Sequence, residues 1–263
     1  MIDFEYKKSY TVKDLEEIVR ILRAPGGCPW DIEQTHESIR RNFLEEAYEV
    51  VEAIDEKDPD HLKEELGDVL LQVLFHARIE EEQGRFNLDD VADGISQKLI
   101  FRHPHVFGTR EVSGSGEVLA NWEVLKRQEK GQETHTDALD SVARSLPSLW
   151  RAEKIQAKAR KAGFDWPDIS GALDKLDEET AELKQAIADG SNVEEELGDL
   201  LFAAVNVSRF LQKDPEVALG KACDKFIDRF RQVEQAAAER GAPMEQMSLT
   251  ELDKLWDEAK KLR

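Results

Sequence analysis

Apolar residues recur every three or four positions along most of the chain: Val12, Leu15, Ile18, Val19 and Leu22; Leu62, Leu66, Val69, Leu70 and Val73; Leu197, Leu200, Leu201 and Ala204. That spacing puts each set on one stripe of an α-helix, and the strict alternation of a half-buried strand is scarcely visible. Glycine, proline and small polar residues punctuate the pattern at 25–27, 58–60, 108–116, 131–137, 163–167, 189–192 and 241–243. The pattern predicts an all-α protein of helices joined by short loops.

The two halves carry the same signposts in the same order. Gly27-Cys28-Pro29-Trp30 is answered by Gly163-Phe164-Asp165-Trp166, each before a helix start. Glu45-Glu46-Ala47-Tyr48-Glu49 is answered by Glu178-Glu179-Thr180-Ala181-Glu182, and Glu64-Glu65-Leu66-Gly67-Asp68 by Glu195-Glu196-Leu197-Gly198-Asp199. Lys98 and Arg102 are four apart, as are Lys225 and Arg229; Trp122 and Lys126 match Trp256 and Lys260 in the same way. This order predicts a duplicated domain, 1–130 and 141–263, joined by a polar linker at 131–140.

Composition agrees with two cores. The chain has 263 residues, 40% apolar and 35% charged, with 11 Phe and 5 Trp, which describes a globular protein rather than a disordered acidic one. No run approaches the roughly 20 apolar residues that span a bilayer, and Met1 to Tyr10 lacks the apolar stretch of a signal peptide, so a cytoplasmic protein with no membrane partner is expected. Cys28 and Cys223 predict reduced thiols rather than a disulfide framework. A formal charge of −20 disfavours a nucleic-acid polymer as partner, because such binding draws on fields of Lys and Arg. A small anion that travels with magnesium is still accommodated.

Carboxylates three or four apart share a helix face, so Glu46 pairs with Glu49 and Glu65 with Asp68. With Asp58 at the turn, Glu49 lies nine residues before it and Asp68 ten after, which in an antiparallel hairpin gives similar depths, roughly 14 Å from the turn. Glu182 and Asp199 stand in the same relation to Gly190. Glu-rich helix faces are ordinarily solvated surface, but two hairpins with acids at matched depth call for a cation. Oxygen-only ligands favour a hard divalent ion, Mg2+ or Mn2+. Ferritin-like di-iron chemistry is disfavoured, since Glu33 to His36 is the single ExxH and lies outside the repeat.

These residues resemble the MazG family of all-α nucleoside triphosphate pyrophosphohydrolases, whose hallmark is EExxE followed about one helix later by EExxD. Gly27-Cys28-Pro29-Trp30-Asp31 and Arg102-His103-Pro104-His105-Val106-Phe107 add to the likeness. The resemblance implies a tandem repeat of two helical-bundle MazG-like domains, a homodimer, and hydrolysis of nucleoside triphosphates to monophosphate and pyrophosphate in the housekeeping of nucleotide pools. It implies metal ligation by Glu179, Glu182, Glu196 and Asp199, with Glu46, Glu49, Glu65 and Asp68 as first-half equivalents. Lys175, Lys225, Arg229, Trp256 and Lys260 become nucleotide contacts, with Lys98, Arg102, Trp122 and Lys126 their counterparts. Glu178 and Glu195, beside the ligands, become candidates to orient water or accept its proton. Asn42 stands where Lys175 would have its first-half partner, so the second half is expected to be the more competent site. Two other classes stay open: a nucleotide- or metal-sensing module without turnover, and an acidic helical scaffold for a protein partner.

Overall fold

The computed structural model describes residues 4–129, 131–241 and 243–261; the expected boundary at 130 lies outside them. Every regular element among the described residues is helical. The chain divides into two compact units, Met1–Lys126 and Arg127–Arg263.

The first unit opens with α1 (Val12–Arg23), α2 (Pro29–Glu33), α3 (His36–Glu56) and α4 (Pro59–Glu82). Local chemistry sets their ends. Thr11 and Thr35 each cap a helix through a box closed by the residue three positions on, Asp14 and Ser38 respectively. Between α3 and α4, Lys57 turns left-handed and Asp58 accepts from the amides of Asp60 and His61, with Pro59 at the first helical position. The tight turn folds α3 back along α4, and α1 packs on α4. Val19, Ile39, Leu74, Phe75 and Ile79 form a buried cluster there; of the stripes predicted from sequence, Val19 is in it, Leu15 and Leu70 pack against it partly buried, and Val12 and Leu66 stay exposed. Each such side chain contributes about 1.5–3 kcal/mol of burial. Then follow α5 (Leu88–Arg102), α6 (Pro104–Phe107) and α7 (Ser115–Glu129).

The second unit holds α8 (His135–Asp140), α9 (Ser148–Lys161), α10 (Ile169–Asp189), α11 (Val193–Phe210), α12 (Pro215–Glu239) and α13 (Leu249–Ala259). The stretch expected to be linker, 131–140, therefore contains a helix. Thr134 and Asp137 close a capping box around its start and α8 packs on α9, so capping and contact override the polar composition. Helices α10 and α11 form the counterpart hairpin, turning at Gly190, whose φ of 64° is the left-handed cap that glycine adopts without strain. Helices α12 and α13 bury Val233, Ala237, Leu255 and Ala259 against each other.

Candidate functional site

Each hairpin gathers carboxylates. In the second unit, ligand atoms of Glu179 on α10 and of Glu196 and Asp199 on α11 lie within 4.8 Å of one another; in the first, those of Glu46 and Glu49 on α3 and Glu65 on α4 do the same. Three of the four expected acids thus meet in each unit, and the fourth differs: Glu182 falls outside one group and Asp68 outside the other. Both remain electrostatic neighbours, since Glu179 helps push the Glu182 carboxyl up and Asp68 does so for Glu46.

The chemistry of these groups fits a hard cation. Glu65 and Glu179 are buried, at 8% and 5% exposure, and Oε2 of each is enclosed without a hydrogen-bond partner. A buried carboxylate oxygen with no donor is costly unless a charge faces it. Burial first, then the neighbouring carboxylates, hold Glu46, Glu65 and Glu182 above the ordinary carboxylate range. All donors are oxygens, which suits magnesium or manganese.

The two groups are not electrostatic twins. Lys175 Nζ lies 2.6 Å from Glu179 and 2.9 Å from Glu178, and these carboxylates raise its pKa. In the first unit a residue that sequence reasoning passed over stands beside the acids: His61 Nε2 is 3.3 Å from Glu65, and Nδ1 is 3.0 Å from Glu56. Its place four residues before Glu65 on α4 was the available signal. Glu178 and Glu195, the expected proton acceptors, are exposed and lie outside the close acidic group, with Glu178 held by Lys175.

Beside the second group opens a cavity of about 800 Å³, lined in part by Lys175, Glu179, Asp199, Phe164, Trp166 and Phe202. Trp166 lies against the start of α10, and only glycine fits beneath it: a Cβ on Gly171 would come 2.3 Å from the indole Cδ1. The repeat marked Trp166 as a signpost, but nothing in its spacing disclosed a cavity wall.

The remaining expected nucleotide contacts do not line this cavity within one chain. Arg229 on α12 lies over the Trp256 ring of α13 at 5.9 Å, Lys260 pairs with Asp257 at 3.0 Å, and Trp256 packs on the α12–α13 core. Lys225, four residues before Arg229, is half-buried on α12. The first unit repeats the motif of cation over indole, with Arg102 at 5.3 Å and Lys126 at 4.7 Å from the Trp122 ring; Lys98 is exposed on α5.

The model of the MazG nucleotide pyrophosphohydrolase domain matches residues 34–107 and 170–236, one segment containing each acidic group. Over 248 residues, 94% of this chain and 95% of the relative, it is 47% identical to the nucleoside triphosphate pyrophosphohydrolase/pyrophosphatase MazG of Thermotoga maritima. The chain belongs to the MazG family. It is also 46% identical over 249 residues, 93% of this chain and 95% of the relative, to the nucleoside triphosphate pyrophosphohydrolase of Escherichia coli K12. It consists of two tandem helical MazG-like domains, and its acidic groups are suited to the divalent metal of a MazG hydrolase. The two matched segments cover α3 to α6 and nearly all of α10 to α12; Trp166 and Trp256 lie outside them.

Proposed function

We propose that this MazG chain hydrolyses nucleoside triphosphates to nucleoside monophosphate and pyrophosphate as a Mg2+-dependent housekeeping enzyme of the cytoplasm, with turnover centred on the second unit. The observation that carries the reading is the juxtaposition of Glu179, Glu196 and Asp199 with Lys175 at a cavity walled by aromatic rings. The high identity to relatives named for this activity, over nearly their whole length, supports it.

Glu179, Glu196 and Asp199, joined by Glu182, would hold the ion, and Glu46, Glu49, Glu65 and Asp68 would hold its first-unit equivalent. Bound there, magnesium supplies charge neutralisation for the triphosphate and a more acidic water. The chain's own groups do the rest. Lys175 exchanges its carboxylate partners for phosphate oxygens, and Lys225, Arg229 and Lys260, which do not line the cavity of their own chain, would offset charge on the leaving pyrophosphate from the second copy of a homodimer. Glu178 or Glu195 accepts the proton of the attacking water. Lys98, Arg102, Trp122 and Lys126 form the corresponding first-unit set.

A homodimer accords with the apolar residues left exposed on the second hairpin, among them Leu173, Ile187, Leu197 and Leu201 at 44–61% exposure. The same patch on two copies would bury those side chains against each other.

The test is a nucleotide panel with Mg2+, following monophosphate and pyrophosphate. The wild type is expected to release both. The double variant Glu65→Gln with Glu179→Gln is expected to lose a hundredfold or more in rate, on the order of the loss when a preorganised charge is removed. Wild-type pyrophosphate release from the double variant would reject the ligand assignment; metal and nucleotide binding without product would make the chain a sensor.

A further inference from the structure

Two amides in the second-unit cavity are held with their polar ends fixed, and the hydrolase reading leaves them without a task. Gln156, on α9, is 6% exposed; its Nε2 donates to the Phe202 carbonyl at 2.8 Å. A carbonyl only accepts, so the amide is oriented with Oε1 at the other end, and Oε1 is buried without a partner. Asn206, on α11, is 9% exposed, and its Oδ1 accepts from Arg209 Nε at 2.9 Å and Nη2 at 2.7 Å. A guanidinium only donates, so Nδ2 must face away from it. Arg209 is itself clamped by Asp165, at 2.9 Å and 2.5 Å, and both amides line the cavity. The wall thus presents an acceptor without a partner at Gln156 Oε1 and the amide N–H group of Asn206 turned away from Arg209, each held in place by the other end of its own amide.

The placement suits a heterocycle. Asp199, Phe202, Ala203 and Asn206 follow one another down a single stripe of α11, and Asn206 lies seven residues beyond Asp199, about 10 Å along the axis. That is the reach of a nucleoside from its 5′ oxygen to the far edge of its base. Trp166, Phe164 and Phe202 offer faces on which a flat ring stacks. The first unit shows that the helix does not require this wall: seven residues after Asp68 stands Phe75, buried in the core with Arg23 over its ring at 5.6 Å.

We propose that Gln156 and Asn206 are the base-reading pair of the second unit, Gln156 Oε1 accepting from a nucleobase N–H and Asn206 Nδ2 donating to the adjacent acceptor on the same edge. The proposal rests on the hydrolase reading for what occupies the acidic end, and makes the second unit the one that distinguishes bases.

Binding of products tests it without turnover. The full chain with Mg2+ is titrated calorimetrically with AMP, GMP, CMP and UMP, and with ribose 5-phosphate as the probe that lacks a base. At least one monophosphate is expected to bind tenfold or more tighter than ribose 5-phosphate, since a site built on hydrogen bonds rejects a ligand that leaves them unmade. Asn206→Asp keeps the oxygen that Arg209 needs while removing the donor, and Gln156→Leu removes the acceptor. Each is expected to weaken that monophosphate about tenfold and to leave ribose 5-phosphate unchanged. Should Gln156→Leu not fold, Asn206→Asp decides. Ribose 5-phosphate binding as tightly as every monophosphate, or a variant weakening both probes equally or neither, overturns the proposal. Pyrophosphate release by the wild type is scored separately: base-dependent binding without release leaves the pair standing and rejects the hydrolase reading, and release without base-dependent binding does the reverse.

Discussion

His36 and His76 bring two imidazoles together in the first unit, with Nδ1 atoms 2.7 Å apart and rings stacked at 5.0 Å. His36 Nε2 faces Glu80 at 2.5 Å, so that nitrogen carries a proton toward the carboxylate. Arg85 also donates to Glu80, and with His36 it holds that carboxyl down at about 2. Burial, then the charge of His36, lowers the His76 pKa. The signs agree for both groups. A histidine lowered in the fold loses stability as pH falls below its ordinary value near 6.5, because the unfolded chain takes up the proton first. A carboxyl lowered in the fold contributes stability above the ordinary carboxylate value near 4.3 and loses it as pH falls toward 2. The thermal midpoint of the first unit is therefore expected to drop between pH 7 and 5 and again below about pH 4.5. In His76→Phe the first drop should flatten and the second persist; a first drop of the same size in that variant would place its origin elsewhere. None of this was legible in the sequence, where 40 residues separate the two histidines and Glu33 to His36 drew notice only as an ExxH.

At the scale of elements, the hairpins follow from local rules and α13 from packing. Helix rise and a tight turn put the acids of each hairpin at similar depth, so counting residues from Asp58 or Gly190 located the acidic level, while the close groups themselves leave out Asp68 and Glu182. Helix α13 depends on Leu255, 1% exposed and among the largest fully buried side chains, which seats it on α12 with Trp256 beside it. Leu255→Ala is expected to cost about 2–5 kcal/mol by cavity formation and to loosen Trp256 from Arg229. Chemical denaturation gives the first quantity and tryptophan emission reads the second. A loss under 0.5 kcal/mol would mean that α13 is held by something other than this core. The spacing of Trp256 and Lys260 predicted a shared helix face and left the indole between core packing and a nucleotide contact; the structure packs it on the α12–α13 core.

The whole molecule is two unequal copies of one domain. Duplication was plain in the order of motifs, and the missing counterpart of Lys175 at Asn42 already set the halves apart. The structure adds His61 beside Glu65 in one and the amide-walled cavity in the other. The proposed homodimer would cover exposed apolar side chains on α10 and α11. Equilibrium sedimentation is expected to give a dimer, and Leu197→Lys with Leu201→Lys a monomer that keeps its helical signal. A wild-type monomer at micromolar concentration would leave those faces for another partner.

The sequence by itself determined the helical class, the repeat and the acidic hairpins, because periodicity, capping and turn chemistry act over a few residues and carry their geometry with them. Only the tertiary structure decided that Glu182 and Asp68 stand outside the close acidic groups. It also decided that Gln156 of α9 faces the same cavity as Asn206 of α11, and that His36 meets His76. Those outcomes depend on how separate helices pack, on the rotation of each about its axis and the side chains between them, which spacing along one helix does not encode.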